Sequence, residues 1–151
     1  MLAVMADPLD SAFFDLLTGS YRRLVGTDLV VPGRDARWLY EDAPFAVLAH
    51  NTDDDPRFVY GNRTAQSCFE MGWDEIVGLP SRYSAEAPER GERQRLLEAV
   101  ARDGFGRGYR GIRIAKSGRR FFIEDGVIWQ LIDDAGTFCG QAATFARWTD
   151  V

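Results

Sequence analysis

From Gly104 onward the apolar residues stop recurring at three and four and start to alternate. Tyr109–Ala115 and Arg120–Asp133 read as strands joined by the tight turn Lys116-Ser117-Gly118, and Asp133-Asp134-Ala135-Gly136 leads on to a third strand, Thr137–Arg147. Connections this short can join only antiparallel neighbours, so the last third of the chain predicts a three-strand meander. In the middle strand Phe121, Ile123, Val127, Trp129 and Leu131 share one parity, and Phe122, Glu124, Ile128 and Gln130 the other. Apolar residues on both parities imply that both sheet faces are covered. One side then meets the domain's own helices and the other a partner or the N-terminal helix.

The first two thirds supply those helices and two more strands. Asp7-Pro8 reads as an N-cap followed by proline at the first helical position, and Leu9, Phe13, Leu16, Leu17, Tyr21, Leu24 and Val25 make an amphipathic stripe over residues 8–25, ended by Gly26. A short helix is predicted over Arg34–Asp42, then strands over Phe45–His50 and Arg57–Gly61. Asn62 caps a helix over Arg63–Met71 that Gly72 closes, and Asp74 caps a single turn, Glu75-Ile76-Val77. Pro88–Asp103 is a longer helix with Leu96, Leu97 and Val100 inward. The order implies an α+β class: a five-stranded antiparallel sheet with helices on one face, plus an N-terminal helical extension. The division expected is residues 1–44 as a helical cap and residues 45–148 as the sheet domain.

Composition narrows the function classes. The 151 residues suit one core, and a net charge of -5 offers no basic field for phosphate, so no nucleic-acid partner is expected. One histidine, His50, and two cysteines, Cys68 and Cys139, leave no structural zinc set and no disulfide framework. The N-terminus has no basic leader, and the longest apolar runs are far shorter than the roughly 18 residues of a membrane span. A cytoplasmic protein without membrane association is the expectation.

Several strings together resemble a known family. Phe58-Val59-Tyr60-Gly61-Asn62 and Phe69-Glu70-Met71-Gly72-Trp73-Asp74-Glu75-Ile76-Val77-Gly78 are similar to the PAS pattern of a strand ending in Asn, a helix, and a Gly-aromatic turn. Pro44–His50, Asn62-Arg63-Thr64-Ala65, Leu79–Glu86 and Gly140–Phe145 resemble the MEKHLA domain. That PAS-related family occurs in stand-alone bacterial proteins, the type this chain resembles, and at the C-terminus of plant homeodomain-leucine zipper proteins. The likeness spans about residues 10–148 and implies a sensory or interaction module. With neither homeodomain nor zipper here, the DNA-binding role of the plant proteins does not carry over.

His50 closes the first strand beside an acidic turn and is expected to be a hydrogen-bonded structural imidazole; as a haem ligand or base it would need an open cavity there. Haem sensors of PAS type usually carry their ligand on the helix before the meander, and Pro88–Asp103 has no histidine. The flavin-based light sensors resembling this chain carry a cysteine in Gly-x-Asn-Cys-Arg, where this sequence reads Gly78-Leu79-Pro80-Ser81-Arg82. Neither haem nor a photoactive-cysteine flavin is therefore expected, and the cofactor is left unknown. Cys68 and Cys139 read as small core residues. Asp53-Asp54-Asp55 reads as a solvated turn, and Gly104–Tyr109 as a flexible entry to the sheet whose glycines could hinge a lid. Arg82, Arg90, Arg93 and Arg95 interleave with Glu86, Glu89, Glu92 and Glu98 as a solvated, ion-paired helix face.

The residues expected to look into a PAS-like cavity are Asn62, Trp73, Arg113, Glu124, Trp129 and Gln141. The leading expectation is a non-enzymatic sensory, ligand-binding or protein-interaction module with a small-molecule ligand. Two rivals are a small enzyme with His50 or Glu124 as base, and a homodimerisation module using the helix of residues 8–25 and the apolar sheet face.

Overall fold

A computed structural model describes residues 7–85 and 90–151. The elements run α1 (Ser11–Val25), α2 (Ala36–Glu41), β1 (Ala46–His50), β2 (Phe58–Gly61), α3 (Arg63–Phe69), α4 (Trp73–Ile76), a 3-10 turn (Ser81–Ser84), α5 (Arg90–Asp103), β3 (Phe105–Ile114), β4 (Arg120–Ile132), β5 (Phe138–Phe145) and β6 (Arg147–Asp150). All strand pairs are antiparallel, in the order β2-β1-β5-β4-β3, with β6 on β4. The expected α+β sheet is therefore present with a sixth strand, because β6 carries on along β4 in the register set by β5.

The local signals explain most boundaries and correct a few. Asp10, not Asp7, caps α1, its carboxylate accepting from the Phe13 N–H at 2.8 Å, so the helix begins three residues later than the proline suggested. Asn62 caps α3 as its side chain predicts. That helix stops at Phe69 because Glu70 turns left-handed at φ 59° and donates its N–H back to Gln66 and Ser67. Gly72 does not close α3: it caps α4, where the Glu75 carboxylate accepts its N–H at 3.1 Å, and Asp74 lies inside that turn. Gly104–Tyr109 is no hinged loop, since β3 begins at Phe105. A side chain at Gly104 would meet Leu24, and one at Gly106 would meet Leu96, each at 2.7 Å, so these glycines permit close packing.

The sheet carries a core on each face. On one side Phe13, Leu17 and Tyr21 of α1 and Leu39 and Tyr40 of α2 pack on Val47, Val59, Trp129 and Leu131. On the other, Ala65, Cys68 and Phe69 of α3 and Ile76 of α4 pack on Ala46, Leu48, Phe58, Phe121, Ile123 and Phe145. The face left for a partner or the N-terminal helix is thus covered within the chain by α1.

Phe121 and Trp129 share a parity yet lie in different cores. Between them Asp125 adopts φ 53° and the pairing of β4 with β3 shifts, so the strand changes face. Opposite, β5 ends at Phe145 and β6 begins at Arg147, and Trp148 packs back on Phe145 with ring centroids 5.7 Å apart. Of the long-helix residues read as inward, Val100 is buried and Leu96 lies against Gly106, but Leu97, turned about 100° round the helix from Leu96, is 53% exposed. The expected pairing of Arg90, Arg93, Glu86, Glu89 and Glu92 lies outside the described residues or side chains, while Gln94 bonds Glu98 at 3.1 Å.

Candidate functional site

The α3 side of the sheet holds a cavity of about 100 Å³. Its wall is mostly apolar, with Leu48, Phe58, Phe69, Ile123, Ile128 and Phe145, and His50, Ser81, Arg113 and Gln141 add polar groups. His50, Arg113 and Gln141 are placed by strand pairing. Gln141 of β5 lies opposite both His50 of β1 and Gln130 of β4. Arg113 of β3 lies opposite Phe121 of β4 and bridges on its other side to Ala85, which brings in the 3-10 turn. His50 ends β1 where the ladder to β2 slips, and the following turn is held by the buried Asn51 side chain, which accepts from the N–H groups of Asp53 at 3.2 Å and Arg57 at 3.0 Å.

Arg113 is the unusual member. Its Nη1 reaches the Ser84 hydroxyl at 3.4 Å, and its guanidinium carbon lies 5.7 Å from the centroid of the Tyr109 ring. Its Nε is buried and meets no hydrogen-bond partner among the described residues. Buried guanidinium donors are ordinarily matched by an acceptor. His50 places Nδ1 2.8 Å from the Asn51 carbonyl, so that nitrogen carries a proton and donates there. Burial holds its pKa below the usual 6.5, the Arg113 charge adds to that, and the Asn51 carbonyl opposes it. The cavity thus combines a fixed cation, a neutral imidazole, an amide and an apolar wall.

Of the six residues expected to converge on a cavity, the structure brings Arg113 and Gln141 there. Asn62 is fully buried and fully used elsewhere: Oδ1 accepts from Val47 and Ala65 N–H groups, and Nδ2 donates to the carbonyls of Leu39 and Phe45. Trp73 stacks edge-on against Tyr40 and Tyr60 on the α1 side. Trp129 also faces that side, with its indole N–H on the Leu17 carbonyl at 3.2 Å. Glu124 alternates with Ile123, opposite Arg147, and does not line the cavity. These four correct the expected convergence: the change of face at Asp125 turns Trp129 away, capping occupies Asn62, stacking occupies Trp73, and Glu124 alternates to the face away from Ile123.

His50, read as structural, lines the cavity as well as bonding its neighbour. Its place on the strand was legible; its neighbour Arg113 lies 63 positions on, and no local pattern joins them. Cys68 lies in the α3-side core with its thiol pushed up to about 12 by burial, and neither it nor Cys139 lines the cavity. Asp55 of the acidic turn binds Arg82 through both carboxylate oxygens at 3.1 Å, and no cluster able to hold a metal occurs among the described residues.

The MEKHLA domain profile matches residues 11–150, from the first residue of α1 to the last of β6. The chain belongs to the MEKHLA family. This MEKHLA domain shares its fold with PAS and LOV domains of known structure. The light-state dimer of the fungal blue-light photoreceptor Vivid superposes with a TM-score of 0.64 at 15% identity, over 94% of this chain and 98% of that one. The PAS domain of a protein from Colwellia psychrerythraea gives a TM-score of 0.55 at 13% identity, over 74% and 90%. The LOV domain of a blue-light activated histidine kinase from Erythrobacter litoralis gives 0.54 at 19% identity, over 72% and 97%. No curated protein sequence matches. Among the described residues, no helix of this MEKHLA domain is long and apolar enough to cross a membrane.

Proposed function

We propose that this MEKHLA domain is a non-enzymatic sensory module that binds a small molecule between its sheet and α3. The observation that carries the reading is the buried, unpaired Arg113 Nε in a cavity with an otherwise largely apolar wall. A packing core has no use for a guanidinium so poorly matched, and a ligand acceptor in the cavity gives it a partner. The shared fold of sensory PAS and LOV domains supports the same reading.

The cavity does not fit a flavin. At about 100 Å³ it falls below the ~300 Å³ at which pockets for larger organic ligands begin, and both cysteines lie outside its lining. Nor does His50 have the setting of a general base, since no carboxylate stands among the described lining residues to orient it. The protein is proposed to work in the cytoplasm and to pass its signal to another protein or to a second copy of itself.

The test is methyl NMR on isotope-labelled protein with a library of small organic molecules. Concentration-dependent shifts at Leu48, Ile123 and Ile128, with the α1-side methyls of Val47 and Leu131 unmoved, are expected. No response at the cavity methyls to any member would overturn the reading.

A further inference from the structure

We propose that the ligand is a short-chain monocarboxylate whose charged end pairs with Arg113. This rests on the cavity being a ligand site and goes further, to the chemistry that site selects.

Arg113 is the only cation in the described lining, and no carboxylate stands among the described lining residues. Its remaining contacts leave it under-used. Ser84 holds Nη1 weakly at 3.4 Å while giving its own hydroxyl proton to the Ser81 carbonyl at 2.7 Å, and Tyr109 offers only a ring face. A planar carboxylate in the cavity can accept from two guanidinium N–H groups, the two-pronged match for which Arg is suited and Lys is not.

Three further features narrow the class. One cation and a neutral imidazole favour a monoanion over a doubly charged phosphate, which would bring a second charge with no cation to meet it. A volume of about 100 Å³ is well under the ~300 Å³ at which pockets for drug-sized ligands begin, which limits the ligand to a small molecule. The apolar wall of Leu48, Phe58, Ile123 and Ile128 favours a hydrocarbon body behind the charged end. With Nδ1 committed to Asn51, His50 keeps Nε2 as an acceptor, so a hydroxyl on the ligand would add a contact. A two- to four-carbon acid, with or without a hydroxyl, meets all of these conditions.

The experiment titrates sodium propionate, sodium lactate, propionamide and sodium phosphate into the full chain at fixed ionic strength and neutral pH. It follows the methyls of Leu48, Ile123 and Ile128, using wild type, Arg113→Gln and Arg113→Lys. Propionate or lactate is expected to bind at least tenfold more tightly than propionamide or phosphate. Arg113→Gln should abolish that preference, and Arg113→Lys should keep part of it. Arg113→Gln is read only if its spectrum stays dispersed; wild type with the neutral isostere tests the charge in any case. Equal binding of propionamide, or preference for phosphate, overturns the carboxylate inference while leaving the cavity a ligand site. If none of the four moves the methyls while other small molecules do, the carboxylate inference also falls alone. If nothing tried moves them, both readings fall.

Discussion

The indole N–H of Trp129 donates to the main-chain carbonyl of Leu17 at 3.2 Å, and both residues are fully buried. That bond ties α1 to the face of β4 turned away from the cavity. Tyr21 stacks edge-on against the same indole at 4.9 Å, and Ser20 both donates to the Ile132 carbonyl and accepts its N–H. Leu17→Ala is expected to lower the unfolding free energy by about 3 kcal/mol, the usual cost of truncating a buried leucine. Urea denaturation measures it, and a loss under about 1 kcal/mol would mean that α1 is not part of the cooperative core.

Removing α1 has a separate consequence. A chain lacking residues 1–26 would bare Trp129 and Leu131 of β4, which α1 covers. Light scattering should then show self-association. A shortened chain that stays a folded monomer would contradict the packing of α1 on the sheet.

Asn62 joins four backbone groups from α2, β1, α3 and the segment before β1. Asn62→Ala leaves them buried without partners and should cost about 3 kcal/mol or more. Asn62→Asp keeps the acceptor but sets an anion against the carbonyls of Leu39 and Phe45, so it should cost at least as much. An Asp variant close to wild type in chemical denaturation would show that Asn62 serves only as a helix cap.

Asp125 sits at φ 53°, where a side chain is strained and glycine is not. Asp125→Gly should be neutral or stabilising by up to about 1 kcal/mol, since the Arg147 pair it gives up is solvent-exposed. Asp125→Val should be destabilising by about 2 kcal/mol, a β-branched side chain fitting that conformation poorly. Thermal melts of both variants check the sign; equal effects would place the change of face elsewhere.

Stability should fall as pH drops from neutrality. Burial holds the His50 pKa below 6.5 in the folded protein, so between that value and the folded one the unfolded chain binds a proton that the native state refuses. Folding is weakened as pH falls through about 6.5 and levels off below the folded pKa. His50→Gln should flatten that part of the profile of urea midpoint against pH. A second loss belongs at lower pH. Glu70 is held below 4.5 chiefly by hydrogen bonding from Ser117, with Arg119 adding to it, and Glu75 chiefly by Lys116 and the Gly72 N–H. A variant profile identical to wild type between pH of about 7 and 5 would remove His50 as the cause.

The meander, the turns and the Asn62 cap were legible because each rests on residues close in sequence: alternation, glycine at left-handed positions, a side chain reaching three residues ahead. The faces of β4 were not, because the parity of Phe121 and Trp129 is the same and the reversal depends on one backbone angle at Asp125. The same locality limited the site. Asn62 and Trp129, expected at the cavity, are held instead by the carbonyls of Leu39, Phe45 and Leu17, which carry no side-chain signature.

By itself, then, the sequence determined the class of fold and the order of elements up to β5, since periodicity and turn chemistry act over a few residues, and its longer strings carried the resemblance to the family. Tertiary structure alone decided that α1 closes the second sheet face and that His50, Arg113 and Gln141 meet in one cavity. Such meetings depend on ladder register and on a strand changing face, which are cooperative outcomes of packing both cores together.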